Sequence, residues 1–231
     1  DDVTKPMTFA PIINSKITTF DGGATFDADG NVVTGDDKVE GIKYLTIDLE
    51  NCVTSSDSTV EDVRKDSAGL FANFSGNKIS NVCIQYAHIY GKKTVKYAGT
   101  LIGDHDVSTA LSIKSCKAMR SIIDSEQPDK DNYERHFGGL VGKSEGNSNF
   151  VMQDCAADGV VVSCKATRNV NTGSVSSTGG LIGYAVGGNE CKIETCRAII
   201  RDSDLSAYRR AYKNESLDDT LYFNMPCDMH L

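Results

Sequence analysis

The fold predicted for this chain rests on two short stretches, GGLVG at residues 138–142 and GGLIG at residues 179–183. Two related stretches precede them, AGLF at 68–71 and AGTLIG at 98–103. Each copy is followed by a polar segment and then by two apolar residues three positions apart. These pairs are Ile79/Val82, Ile113/Cys116, Met152/Cys155 and Ile193/Cys196, and Ile42/Leu45 extends the series toward the N-terminus. A loose internal repeat of this kind predicts a stack of similar units.

The runs between the turn residues have the composition of β-strands. Residues 43–50, 81–90 and 159–164 are short and rich in Val, Ile, Tyr and Thr. A unit of about 40 residues also suits a propeller blade, but blades normally carry aromatic signatures, whereas this chain has no Trp and 7% aromatic residues. We therefore predict an all-β fold, a single-stack parallel β-solenoid of about five irregular coils with N- and C-terminal caps.

The predicted boundaries follow from where the repeats begin and end. We assign 1–231 to one repeat domain, with residues 1–35 as a cap or irregular first coil, 36–205 as repeat coils and 206–231 as a cap or tail. We expect the motif glycines to form sharp structural turns, because glycine takes positive φ cheaply and lets backbones approach closely. These glycines are Gly138, Gly139, Gly142, Gly179, Gly180 and Gly183.

Charge and hydropathy exclude several classes of partner. The formal net charge is −8, which opposes binding to nucleic-acid phosphates or anionic lipid surfaces. The sequence has no apolar run of about 18 residues, so we expect no membrane insertion.

The repeated motifs resemble those of the glug-repeat family, which is named for a Gly-Leu-hydrophobic-Gly core. GGLVG and GGLIG are similar to that core, and the segments ending at Cys116, Cys155 and Cys196 are similar to the family's Ile-x-Asn-Cys element. Upstream, residues 9–12 (FAPI) and 25–30 (TFDADG) also resemble such proteins. The resemblance covers roughly residues 9–205 and implies an exported or surface-anchored bacterial protein with an adhesin-like or spacer role. It carries over no catalytic residue.

Three of the eight cysteines occupy one repeat position, namely Cys116, Cys155 and Cys196. In a parallel solenoid they would stack about 4.8 Å apart with parallel Cβ vectors, a geometry with the wrong torsion for a disulfide. We predict a buried ladder of three free thiols. Cys191 and Cys196 flank a turn, so a disulfide between these two remains an alternative.

Metal and catalytic motifs are weak. Residues 27–31 (DADGN) superficially resemble a calcium loop, but Gly30 stands fourth instead of sixth and Lys38 replaces the twelfth-position Glu, so we expect a turn. The histidines are scattered and no C-x-x-C pair exists, so we predict no zinc site or other metal and no cofactor. Nucleophile-elbow, phosphate-loop and metalloprotease motifs are missing as well. We predict no enzyme and no catalytic residue.

Loops between coils can vary without disturbing the stack, so binding is expected there. The longest such segments are 124–137 and 165–178. In the first we select Tyr133, Arg135 and His136 as ligand-binding candidates, since Tyr and Arg are frequent binding anchors. The predicted function is a non-catalytic adhesin-like module recognising a host glycan or extracellular protein, located at the cell surface or outside the cell after removal of an export signal not present in this sequence. A passive stalk and a carbohydrate-active β-helix enzyme remain the alternatives.

Overall fold

The computed structural model describes ten stretches and three single positions along the chain. They are residues 9, 11–13, 17–29, 31–34, 38, 40–48, 66–91, 95–125, 134–146, 149–164, 176–186, 188 and 190–201. These residues form a parallel β-solenoid, which confirms the predicted fold class. No helix among them is long and apolar enough to cross a membrane.

The chain passes through five parallel sheets in each turn of the solenoid. The first sheet contains β5 (Ser67–Ala68), β10 (Tyr97–Gly99), β15 (His136–Gly138) and β20 (Ser177–Gly179). The second contains β1 (Ile12–Ile13), β6 (Phe71–Asn73), β11 (Ile102–Asp106), β16 (Val141–Glu145) and β21 (Ile182–Val186). The third contains β2 (Thr19–Asp21), β7 (Lys78–Ser80), β12 (Leu111–Lys114), β17 (Phe150–Gln153) and β22 (Cys191–Glu194). The fourth contains β3 (Ile42–Lys43), β8 (Cys83–Gln85), β13 (Lys117–Met119), β18 (Ala156–Asp158) and β23 (Arg197–Ile199). The fifth contains β4 (Thr46–Asp48), β9 (His88–Gly91), β14 (Ile122–Ser125) and β19 (Val161–Ser163).

Five coils follow from this order: β1–β4, β5–β9, β10–β14, β15–β19 and β20–β23. Equivalent residues are 42 to 60 positions apart between the first and second coils, 30 to 34 between the second and third, 39 between the third and fourth, and 41 between the fourth and fifth. The strands of the first coil begin at Ile12, before the expected start of the repeats at residue 36. The predicted C-terminal cap or tail at 206–231 lies outside the described residues.

The core is a column of inward side chains, and in the second, third and fourth coils they follow one another at a spacing of five residues across the third, fourth and fifth sheets. In the second coil Ile79, Ile84 and Ile89 are fully buried, one from each of three successive sheets. Each five-residue step consists of a three-residue strand, one bend residue with φ in the left-handed region, and one further inward residue. The next strand begins directly after it. The left-handed bends of this coil are Asn81 (φ 54°) and Tyr86 (φ 57°). Such bends give short strands rather than long alternating runs.

The register of the coils places Ile42/Leu45 differently from the sequence prediction, and it also aligns AGTLIG with the later motif copies. Ile42 pairs with Ile84, so Ile42/Leu45 belongs to the second bend of the coil, and Phe20 is the partner of Ile79. AGTLIG aligns with GGLVG without an insertion, since Gly99 pairs with Gly138 and Ile102 with Val141. Thr100 thereby stands at the place of Gly139, and its Oγ1 donates a hydrogen bond of 2.6 Å to Gly139 O.

The motif glycines are needed for close approach and not for positive φ. Positive-φ glycines among the described residues are Gly23, Gly41 and Gly159, none of which belongs to the motif. A Cβ on Gly138 would lie 2.1 Å from Val141 O, and one on Gly142 would lie 2.5 Å from Ala98 N. The strands of the first and second sheets therefore meet backbone to backbone across the turn, where a side chain does not fit.

A short antiparallel excursion leaves the first coil after Ala24. Phe26 bridges to Val32, and Asp27 closes the turn by accepting hydrogen bonds from Asn31 N (2.7 Å) and Asn31 Nδ2 (3.2 Å). The Phe26 ring lies over the outer side of the fourth sheet, 4.5 Å from Lys117 Nζ. The carboxylate of Asp27 thus serves the turn that the sequence predicted here.

Candidate functional site

The connections from one coil to the next all begin and end at the same corner of the solenoid. The fifth-sheet strands β4, β9, β14 and β19 all lead, through segments outside the described residues, to the first-sheet strands of the next coil. Those segments are 49–65, 92–94, 126–133 and 165–175. The two segments selected from the sequence, 124–137 and 165–178, therefore begin and end side by side on neighbouring coils. We call this edge the loop corner.

Arg135 lies at the base of the loop corner and not at its surface. Its side chain is fully buried, and Nη1 donates a hydrogen bond of 3.1 Å to Ser125 Oγ, across the two ends of segment 126–133. Its backbone N–H donates to Ser176 Oγ of the next coil (3.2 Å). Burial raises the pKa of the neighbouring Cys164 thiol to about 11, against the opposing charge of Arg135. The guanidinium joins the two ends of segment 126–133, the backbone N–H links them to the next coil, and the side chain is not an exposed anchor for a ligand.

His136 is also fully buried. Its ring stacks on Tyr184 of the next coil, with centroids 4.4 Å apart, and lies parallel to Tyr97 of the preceding coil at 5.9 Å. Nδ1 is 2.7 Å from Ser177 Oγ, and Nε2 contacts the Glu134 carboxylate at short range. His136 therefore ties three coils together. Tyr133, the third residue selected from the sequence, lies outside the described residues.

A lateral strip of rings and charges runs beside the loop corner, on the outside of the first and second sheets. It consists of Tyr97, His136 and Tyr184 with Asp104 and Lys143. Asp104, Lys143 and Tyr184 are in register on successive coils, and Lys143 Nζ lies 4.7 Å from the Tyr97 ring centroid. We refer to these five residues as the aromatic strip.

The charges of the aromatic strip are mutually compensated. Lys143 Nζ is 2.6 Å from a Glu145 carboxylate oxygen. Burial disfavours the ammonium ion, but the hydrogen bond to Glu145 and the charge of Asp104 outweigh it and raise the pKa of Lys143. Burial also raises the pKa of the Tyr97 hydroxyl, with a smaller contribution from Asp104. Lys143 therefore stays cationic and Tyr97 stays neutral across the physiological pH range.

Glu134, His136 and Ser177 follow the order of an acid, an imidazole and a hydroxyl, but the proton positions do not suit nucleophilic catalysis. Ser177 Oγ donates its only proton to Gly183 O at 2.6 Å, since a carbonyl oxygen can only accept. His136 Nδ1 must then donate to Ser177 Oγ and cannot remove the hydroxyl proton. The hydrogen bond between His136 and Ser177 instead connects the fourth coil to the fifth.

The three cysteines of the repeat are in one column. Cys116 and Cys155 are buried free thiols, and Cys196, in the last described coil, is a free thiol of intermediate exposure. Each sulfur lies near a carbonyl two residues earlier, at 3.3, 3.2 and 3.1 Å respectively. Cys191 is an exposed free thiol, while Cys52 and Cys227 lie outside the described residues. Within the described part of the chain, no group of three or more His, Cys, Asp or Glu residues could hold a metal ion.

Sequence reasoning missed Tyr97, Asp104, Lys143 and Tyr184. A signal was present, because Asp104, Lys143 and Tyr184 each follow the last glycine of a motif copy. Without the register of the coils, however, nothing distinguished these positions from other polar residues between strands.

Comparison with known proteins gives no match to a family model, to a curated protein or to a solved structure. The resemblance to glug repeats therefore rests on the motifs of the sequence alone and stays a prediction.

Proposed function

We propose that this chain is a non-catalytic binding module of an exported bacterial surface protein. It is adhesin-like, and it recognises a host or neighbouring-cell ligand, a glycan or an extracellular protein, through the segments at the loop corner. The observation that carries the proposal is the common origin of these segments. Four connections between successive coils begin and end along one edge of the parallel stack, and three of them, at 49–65, 126–133 and 165–175, are long. Loops held side by side on a rigid scaffold are a recurrent binding architecture.

The base of the corner supports this proposal. Arg135 and His136 are buried and hydrogen-bonded to Ser125, Ser176 and Ser177, so the ends of two excursions are held in fixed positions. A binding surface gains affinity when its supporting residues are already ordered before the ligand arrives.

The two alternatives are less well supported. A passive stalk predicts a uniformly polar exterior, whereas the aromatic strip places two half-buried tyrosines and a buried Asp–Lys pair on a lateral face. A carbohydrate-active enzyme needs two carboxylates facing each other across a cleft. The two glutamates that contact the strip are paired with its members, Glu134 with His136 and Glu145 with Lys143.

The test replaces residues 126–133 in the full chain by a short Gly-Ser linker. Binding is measured on immobilised glycans and extracellular-matrix proteins. We expect the wild-type chain to bind at least one probe and the loop variant to lose about tenfold or more in affinity, as loss of one binding hot spot does. The matched control replaces 107–109, a bend between β11 and β12 away from the loop corner, and should bind like wild type. Absence of binding to every probe, or equal binding by both variants, would contradict the proposal.

A further inference from the structure

The fifth coil, the last one described, carries most of the exposed apolar side chains. Among the described residues six large apolar side chains are exposed, and four of them belong to this coil. They are Val186, Ile193, Ile199 and Ile200. Met152, which pairs with Ile193 from the fourth coil, is fully buried. The surface that a following coil covers elsewhere in the stack is therefore open here.

The opposite end of the stack does not offer a matching open surface. In the first coil Leu45 is 5% exposed and Ile47 is fully buried. The interior of this coil is thus already covered, which disfavours a head-to-tail contact between the first coil of one copy and the fifth coil of another. A contact between two fifth coils joins two open surfaces. It requires a two-fold axis, because the same patch then meets itself.

Strand β22 supplies an open hydrogen-bonding edge at this surface. It is the last strand of the third sheet, so one of its edges has no neighbour among the described strands. Its other edge bonds to the fourth coil, where Asp154 N donates to Glu194 O at 3.1 Å and Phe150 N donates to Glu190 O at 2.9 Å. The backbone groups of alternate residues in a parallel strand point to opposite sides. The N–H and C=O of Ile193 therefore point to the open edge.

A two-fold axis through Ile193 lets β22 pair with the same strand of a second copy in an antiparallel ladder. The two Ile193 residues then exchange both N–H···O bonds, as directly opposite residues of an antiparallel pair do. Exposed edges of this kind are templates for pairing with another chain.

The charges of β22 are complementary to themselves in this register. Lys192 and Glu194 flank Ile193 on the outer face, where their side chains are 47% and 43% exposed and Nζ lies 2.8 Å from the carboxylate. Across the two-fold axis, Lys192 of each copy lies opposite Glu194 of the other. An axis through Lys192 or through Glu194 would instead place like charges opposite each other, which is unfavourable in a β-ladder. The charge pattern therefore selects the register centred on Ile193.

We propose that the open end of the fifth coil binds a second copy of this chain, forming a two-fold dimer through antiparallel pairing of β22. The backbone edge and the apolar side chains supply the attraction, and Lys192 with Glu194 sets the register. The net charge of −8 on each chain opposes association. We therefore expect a dissociation constant of about 10 μM, so that the end stays open in dilute protein.

This interface goes beyond the proposed function and does not rest on it. The loop corner lies between the fifth and first sheets on the side of the stack, whereas β22 belongs to the third sheet. The dimer would carry two loop corners, and each surface can be tested without the other. Failure at the open end is therefore distinguishable from failure of the proposed function.

The experiment measures the mass of the full chain by sedimentation equilibrium between about 1 and 100 μM, a range that brackets the expected dissociation constant. We expect wild type to pass from monomer to dimer. Lys192→Glu and Glu194→Lys each place two like-charged pairs across the ladder, so each variant alone should dimerise about tenfold more weakly. An equimolar mixture of the two variants should recover dimerisation, because two acidic side chains of one chain then face two basic side chains of the other.

The matched control is Lys43→Glu, which reverses another exposed lysine that is paired with a glutamate, Glu40, at the opposite end of the stack. It should dimerise like wild type. All three variants change exposed side chains, so their melting temperatures should stay within about 2 °C of wild type. Recovery on mixing also excludes misfolding as the cause of weaker association, since a misfolded variant is not rescued by another variant.

A wild-type chain that stays monomeric up to about 100 μM would overturn the proposal and would leave the open end to another occupant, such as residues 202–231. A mixture that dimerises no better than the separate variants would overturn it as well. Assemblies that grow beyond the dimer and are weakened by Lys43→Glu would show head-to-tail stacking instead.

Discussion

Several of the described thiols are held in environments that favour the protonated form. Hydrogen bonding to Cys116 and burial raise the pKa of Cys155. Burial raises the pKa of Cys83 to about 11 and that of Cys196 to about 11. Thiolate is the reactive form of cysteine, so these residues behave as small apolar side chains. The column of Cys116, Cys155 and Cys196 lies on the inner side of a bend, at the position that the buried Val82 occupies in the second coil.

The buried thiol of Cys83 predicts that the folded protein loses stability at alkaline pH. The unfolded chain loses this thiol proton near pH 9.0, whereas the folded protein retains it until about pH 11. Its contribution to stability is therefore complete below about pH 9 and is lost as the pH rises to about 11. We expect the free energy of unfolding of wild type to fall by about 2 kcal/mol more over this interval than that of Cys83→Ala. Urea titrations at several pH values measure the difference.

The control is Cys191→Ala, since Cys191 is exposed. It should keep the pH dependence of wild type. Parallel stability curves for wild type and Cys83→Ala between pH 9 and 11 would contradict the prediction.

Two kinds of turn build each coil, and they use glycine differently. The turn between the first and second sheets brings strands such as β10 and β11 together with no room for a Cβ. The two bends flanking the fourth sheet need positive φ, and most of them are formed by residues other than glycine. The GGLVG and GGLIG copies are visible in the sequence because close backbone approach favours glycine at positions such as Gly138 and Gly142. The left-handed bends are not visible, because Asn, Ser, Asp, Thr, Tyr and Arg all occupy them.

Replacing Gly142 tests whether the strands of the first and second sheets need glycine for their close backbone contact. A methyl group there would lie 2.5 Å from both Ala98 N and Gly103 O, which are backbone atoms that cannot rotate away. We expect Gly142→Ala to lower the free energy of unfolding by about 3 kcal/mol, at the upper end of overpacking effects. Denaturant unfolding followed by circular dichroism measures it.

Lys114→Ala, at an exposed position of the third sheet, is the matched control and should change stability by no more than about 0.5 kcal/mol. A Gly142→Ala protein as stable as this control would show that the strands can separate without cost.

Across the whole molecule, the last described coil exposes the interior of the stack. Ile193 is 47% exposed, while Ile113 and Met152, its equivalents in the two preceding coils, are fully buried. An open recess of about 290 Å³ lies at the same end, lined by residues that include Val160, Ala198 and Ile200. Apolar surface of this kind drives association when it is not covered.

The exposed apolar side chains of the last described coil predict that the protein binds a hydrophobic dye. We expect the full chain to bind the dye ANS and the double variant Ile193→Thr/Ile199→Thr to bind markedly less. Its melting temperature should stay within about 2 °C of wild type, since both side chains are already exposed. Ile113→Thr, which alters the same column inside the stack, should instead lower the melting temperature by more than about 5 °C. Unchanged dye binding by the double variant would show that this end is covered.

The sequence by itself determined the solenoid, because a short apolar pattern repeated at similar intervals has to stack on its own copies to bury its apolar face. Gly138, Gly142, Cys116 and Cys155 carried that information, since buried and closely packed positions tolerate few residue types. Only the tertiary structure decided which side chains come together outside the core. Tyr97, His136 and Tyr184 meet, as do Tyr44, Tyr86 and Arg120, because parallel register brings residues more than 30 positions apart to within one coil spacing. Exposed positions tolerate many residue types, so their local sequence carries no trace of that register.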